Sequence, residues 1–184
     1  LITYMRTDAP SLSKESINDA RGFINENLGD KYLTNAPKIY SSTENAQEAH
    51  EAVRPTNTFL KPQDVMQLSE EESKLYKLIW ERFVASQLPD AEYLSTSAKI
   101  AIENNTFIAR GRELVFDGFT KVLKSSSKEE DILPSLNEGD SIARKSIDLE
   151  QKFTKPPSRY SEAALVRELE KKGIGRPSTY ANII

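Results

Sequence analysis

The sequence predicts an α+β fold, with a helical first part, an antiparallel β-rich middle and a return to helix at the end. Three observations carry this. Capped segments with helical apolar spacing fill residues 1–90. Strict alternation begins after residue 91, where Thr96, Ala98, Ile100 and Ile102 face one way and Ser97, Lys99, Ala101 and Glu103 the other. A second capped helical pattern opens after Pro156-Pro157 and Ser161.

The elements follow in order. Leu1 to Met5 is short, apolar and β-branched, suited to a strand. Ser13 caps a helix through Ile17, Ala20, Ile24 and Leu28, and Gly29 stops it. The stretch 32–40 is irregular around Pro37. Ala46 to Val53 carries a short helical pattern, ended by Arg54-Pro55 because a residue before proline disfavours the α region. Ser69 and Glu72 form a capping box. They open a helix with Leu75, Leu78, Ile79, Phe83 and Val84 on one side, ending near Leu88-Pro89. Asn104-Asn105 marks a turn, and Phe107 to Arg110 returns as the second hairpin strand. Gly111 and Gly118 punctuate the next piece, 113–123, and 124–131 is a solvated loop. Asn137-Glu138-Gly139-Asp140 is another turn, and Ile142 to Phe153 is expected as a long final strand. A helix then runs through Leu165, Val166 and Leu169 to Gly173. Pro177 sits in the first turn of the next one.

Composition narrows the function. Without cysteine there are no disulfides or thiolate metal sites, and one histidine excludes a zinc site built on several imidazoles. No apolar run approaches the roughly 18 residues that span a bilayer, and no signal peptide opens the chain, so a soluble cytoplasmic protein with no membrane partner is expected. The net charge of −3 does not by itself suggest nucleic acid; basic residues would have to cluster locally. A start on Leu1 rather than Met and a close on the helical run Tyr180 to Ile184 suggest an excerpt of a longer chain.

Three stretches carry chemistry. In Ile2-Thr3-Tyr4-Met5-Arg6-Thr7-Asp8, a phenol and a guanidinium two residues apart share one face of a strand. The first is a nucleophile and the second a fork for phosphate oxygens. The same pair is equally a half-buried strand tyrosine beside a surface arginine. In the run 44–56, His50 and Arg54 share a helix face if that segment is helical, fit to bind phosphate or move a proton. The plain alternative is an acidic surface helix with one histidine. In Gly173-Ile174-Gly175-Arg176-Pro177-Ser178-Thr179-Tyr180, a glycine-flanked helix start offers free N–H groups, an arginine and two hydroxyls to a phosphate. An ordinary helix stop followed by an ordinary cap reads the same way.

Taken together and in order, these three runs resemble the bacterial type IA DNA topoisomerases, the DNA topoisomerase I group. The intervening text agrees: Leu75 to Trp80, Ala109-Arg110-Gly111, Phe116-Asp117-Gly118 and the run 153–163. The resemblance covers essentially the whole chain and implies a division into three parts. Residues 1–90 match the helical domain bearing the tyrosine, 91–158 part of the β-rich gate arch, and 159–184 the start of a helical DNA-binding domain.

It also implies an enzyme that relaxes negative supercoils. Tyr4 would cleave one strand through a 5′-phosphotyrosine link, and Arg6 would hold the scissile phosphate, with His50 and Arg54 close by. Arg176, Ser178 and Thr179, with Arg159 before them, would contact the DNA backbone. The implied cofactor is magnesium, held by an acidic domain that in this family precedes the matched stretch; the chain alone is then expected not to cleave. The implied partners are single-stranded and negatively supercoiled DNA, with the protein a nucleoid-associated monomer. One departure is Ala9, where the family often has a small hydroxyl residue. A function of a different class is a non-catalytic module that holds single-stranded DNA or a protein partner.

Overall fold

The computed structural model describes residues 1–5, 9–40, 51–124 and 131–184. Among these, contacts divide the chain into two units, 1–134 and 135–184.

In the first unit, helix α1 spans Lys14–Leu28 and helix α2 spans Glu70–Ser86. Both begin where the sequence places a cap. Ser13 accepts from Ser16 N at 3.2 Å. Ser69 accepts from Glu72 N at 3.3 Å, while the Glu72 carboxylate accepts from Ser69 N at 2.9 Å. Gly29 ends α1 with φ +92°, in the region glycine enters without penalty. The core lies between the helices and the loops that cross them: Ala20, Phe23, Ile24, Tyr32, Tyr76, Trp80, Phe83, Val84 and Leu88. Phe23 meets Trp80 edge-on at 5.3 Å between centroids.

Fully buried Thr58 ties this core to its loop. Its N–H and hydroxyl both donate to Asp19 Oδ2, at 3.0 and 2.5 Å, and its carbonyl accepts from Trp80 Nε1 at 2.9 Å. Buried polar groups are tolerable only when paired in this way.

The face of α2 differs from the expected one. Tyr76, Trp80, Phe83 and Val84 enter the core, while Leu75 and Leu78 remain 44% and 48% exposed. Leu75, Leu78 and Ile79 instead line a groove of 540 Å³ together with Met5, Pro10 and Arg82. A helix with apolar residues on more than one side does not reveal from periodicity which stripe faces the core.

Strands β1 (Glu92–Ile102) and β2 (Asn105–Phe116) form one antiparallel hairpin, with Ile102 opposite Asn105 across a two-residue turn at Glu103-Asn104. The alternation after residue 91 is therefore strand, as expected. Gly111, expected to interrupt, lies inside β2, where its missing Cβ admits Asp131 O and Leu133. Much of the hairpin is exposed on both faces.

In the second unit, the expected strand over Ile142 to Phe153 is not formed; those residues have no regular secondary structure and are exposed. A strand needs a neighbour for its backbone hydrogen bonds, and none pairs with this one among the described residues. Helices α3 (Glu162–Lys171) and α4 (Pro177–Ile183) stand where caps and glycines place them. Gly173 N donates to Glu170 O at 3.0 Å and Ile174 N to Leu169 O at 2.9 Å, a Schellman stop with φ +67° at Gly173.

Candidate functional site

The segment carrying Tyr4 is fixed by backbone pairing with residues 52–56. Ile2 and Pro55 form an antiparallel bridge. Thr3 N donates to Arg54 O and Thr56 N to Leu1 O, both at 2.9 Å. The Thr3 hydroxyl donates to Ala52 O at 2.8 Å and accepts from Arg54 N at 3.0 Å. Ala52 N reaches Ser11 O at 2.8 Å, which brings in the approach to α1. These bonds fix the backbone up to the residue before Tyr4 and leave Tyr4 78% exposed. The result is an anchored main chain presenting a hydroxyl to solvent, with Met5 next to it on the wall of the groove.

This pairing corrects the expected helix over 46–53 at its last three residues. Glu51 to Val53 are not helical. The Ala52 N–H goes instead to Ser11 O and its carbonyl to the Thr3 hydroxyl, and Arg54 before proline is biased to extended backbone. Residues 46–50, His50 among them, lie outside the described residues, as does Arg6.

Arg54 is held tightly. Its Nε donates to Glu51 Oε1 at 2.7 Å, its Nη2 to Glu51 Oε2 at 3.0 Å, and its Nη1 to Pro55 O at 3.0 Å. The Arg54 side chain is 16% exposed and that of Glu51 is 31%. The guanidinium holds the Glu51 carboxyl below its ordinary range, against the opposing effect of burial. Glu51 and Thr3 are the functional candidates that sequence reasoning missed. The signal for Glu51 was the i, i+3 spacing to Arg54, which resembles an ordinary surface pair while the segment is taken as helix. Nothing marked the Thr3 hydroxyl.

The remaining expected residues belong to the second unit. Arg159, Arg176, Ser178 and Thr179 are all exposed. Arg176 precedes α4, and its N–H donates to Thr179 Oγ1 at 2.9 Å. The Thr179 hydroxyl in turn donates to Arg176 O at 3.0 Å, so it serves as a local cap. Among the described residues no group of three His, Cys, Asp or Glu side chains converges to hold a metal ion, and no helix is long and apolar enough to cross a membrane.

Comparison with known proteins matches the chain along its whole length. A family model described as DNA topoisomerase matches residues 1–184. DNA topoisomerase 1 of Pseudomonas aeruginosa is 52% identical over the full chain, and that of Escherichia coli 49%. The chain spans 21% of each of these relatives. The full-length topoisomerase I structure from Thermotoga maritima superposes with a TM-score of 0.83 at 38% identity, covering 98% of this chain and 29% of that one. The chain belongs to the DNA topoisomerase family.

Proposed function

We propose that this chain is the tyrosine-bearing part of a type IA topoisomerase that cuts one DNA strand, passes another through the gap and reseals it, relaxing negative supercoils. The observation that carries this is Tyr4: exposed, at the end of a backbone segment pinned to residues 52–56, within a chain that matches a topoisomerase family from end to end. In the proposed step the Tyr4 oxygen attacks a backbone phosphorus. The bond to the 3′ oxygen breaks, the phenol proton is lost, and the departing 3′ oxygen gains one. The downstream strand is left linked through a 5′-phosphotyrosine, and the same exchange in reverse reseals it. A phenol is a weak nucleophile until its proton is taken, and in this reading Arg6 and His50 assist. Arg159, Arg176, Ser178 and Thr179 hold the strand away from the break.

The reading keeps the three-part division 1–90, 91–158 and 159–184, single-stranded and negatively supercoiled DNA as partner, and a monomeric, cytoplasmic, nucleoid-associated protein. In this reading magnesium is held by residues of the rest of the enzyme, and no step above runs through it.

The test grafts this chain in place of the matching stretch of the P. aeruginosa topoisomerase 1. Single-stranded DNA labelled at either end is added with magnesium, and the products are resolved on a denaturing gel. The 3′-labelled piece is expected to remain on the protein and the 5′-labelled piece to be released. Tyr4→Phe keeps the ring but not the nucleophilic oxygen, and is expected to bind DNA while forming no adduct. An adduct in the Phe variant removes Tyr4 from the reaction and leaves the non-catalytic binding module as the better account.

A further inference from the structure

We propose that Glu51 is a positioning residue for cleavage at Tyr4: its carboxylate locks Arg54, and through Arg54 it sets the backbone on which the Tyr4 segment is registered. The inference rests on the reading of Tyr4 above and assigns it a support that touches no DNA.

The geometry has three parts. First, three of the five guanidinium N–H donors are committed locally. Nε and Nη2 take both Glu51 oxygens and Nη1 takes Pro55 O, so each nitrogen already has a partner inside the loop. An arginine held this way braces the loop. Second, the same carboxylate fastens another segment. Glu51 Oε1 also accepts from Ser13 N at 3.2 Å, at the start of α1, where the helix dipole favours a negative charge. Third, the braced loop is the template for the nucleophile's strand. The N–H and carbonyl of Arg54 bond to Thr3, through its hydroxyl and its N–H respectively, and Thr3 is joined covalently to Tyr4. Glu51 thus reaches 11–13 directly and 1–5 through the Arg54 backbone.

The consequence is kinetic. In-line attack requires the phenol oxygen at a fixed place relative to phosphorus, and an ångström of misplacement costs about 100-fold in rate. The low pKa of Glu51 keeps the brace ionic at neutral pH. Removing its charge frees Arg54 and loosens the template without removing any group that touches the strand.

The test uses the grafted enzyme and measures adduct formation in a single turnover on a labelled oligonucleotide. Glu51→Gln is expected to lower the rate constant by about 100-fold. Adduct amplitude, oligonucleotide Kd and the folded fraction by circular dichroism are expected to stay unchanged. The exchanged pair, Glu51→Arg with Arg54→Glu, is expected to recover at least about tenfold of that loss, because the brace is re-formed with its ends reversed.

A wild-type rate constant in Glu51→Gln overturns the inference. So does a loss confined to amplitude and folded fraction, which means that the pair only maintains folding. A third contrary result is a drop of about 0.7 in the salt slope of DNA binding on Arg54→Gln, which makes Arg54 a phosphate ligand. Failure of the underlying reading is distinct: the unmodified graft forms no adduct, or Tyr4→Phe forms one.

Discussion

Tyr32 donates its phenol hydrogen to Asp117 Oδ1 at 2.6 Å, joining the loop after α1 to the end of β2 across 85 residues of sequence. Tyr32 is buried and its ring stacks on Phe116 at 5.2 Å between centroids, so the helical core and the hairpin are fastened at this point. Hydrogen bonds to charged acceptors contribute about 1.5–3 kcal/mol. Tyr32→Phe keeps the stack and removes the bond, and Asp117 retains Lys121 at 3.5 Å. The expected loss is about 1–2 kcal/mol, with the urea m-value unchanged. Trp80, the one tryptophan in the chain and part of the same core, reports it by fluorescence. Equal midpoints for the two proteins would remove this bond from the account of stability.

The same pair sets a pH window. The bond from Tyr32 holds the Asp117 carboxyl below its ordinary value, helped by Lys121. A depressed carboxyl contributes stability that is present above its unfolded pKa, near 3.9, and is lost as pH falls through the folded value. The Asp117 carboxylate pushes the Tyr32 phenol up, with burial adding to it. A raised phenol contributes stability that is present below its unfolded pKa, near 10, and is lost as pH rises through the folded value. Urea midpoints should therefore decline at both extremes. In Asp117→Asn the alkaline decline should shrink, because the charge that opposes phenol ionisation is gone. An unchanged alkaline limb in that variant would contradict the assignment.

Two glycines should answer alanine oppositely. Gly118 has φ +47°, and a Cβ there would stand 2.4 Å from Asp90 O and 2.6 Å from Pro89 O, both backbone atoms that a rotamer change cannot clear. Gly118→Ala is expected to cost about 2–4 kcal/mol, combining the left-handed conformation with the collision. Gly22 lies inside α1, where a Cβ meets nothing within 4 Å, and Gly22→Ala is expected to gain about 0.5–1 kcal/mol of helix stability. Denaturation of both variants beside the wild type checks the contrast; two losses would mean that the space around Gly22 is misjudged.

What the sequence disclosed was local. Ser13, Ser69 and Ser161 announced their helices because a cap acts within three residues, and the alternation of Thr96 to Ile102 announced β1 for the same reason. What it concealed was relational. Leu75 and Leu78 have helical spacing, yet their stripe faces a groove, since periodicity does not say which partner a stripe meets. Glu51 to Val53 have helical spacing, yet Ala52 bonds to Thr3 and Ser11, some forty to fifty residues earlier. Ile142 to Phe153 had strand composition but no partner strand. At the proposed site, the motif singles out Tyr4, while Glu51 and Thr3 enter only through contacts over 38 and 49 residues.

By itself the chain should bind single-stranded DNA weakly. Its net charge of −3 gives no long-range attraction, so binding must come from a local cluster. From Pro156 onward, five basic side chains face three acidic ones, leaving about +2. Lys172 is partly spent on Glu168 at 3.4 Å, while Arg159, Arg167, Lys171 and Arg176 form no ion pair among the described residues. Each phosphate neutralised on a single strand adds about −0.7 to the slope of log affinity against log salt. Three or four contacts give a slope of about −2 to −3, hence weak binding that fades as salt rises. Arg176→Ala should flatten that slope by about 0.7. Attack by Tyr4 asks for more than contact, because the proton must be removed and the phosphorus held in line by groups that the described residues do not gather around it. The chain alone should therefore retain oligonucleotide on a filter at low salt and yield no covalent adduct on a denaturing gel, with or without magnesium. Tight binding that ignores salt would refute the electrostatic argument. A magnesium-dependent adduct from the chain alone would show that Tyr4 and its neighbours suffice for the chemistry, and that the site is not divided with another part of the enzyme.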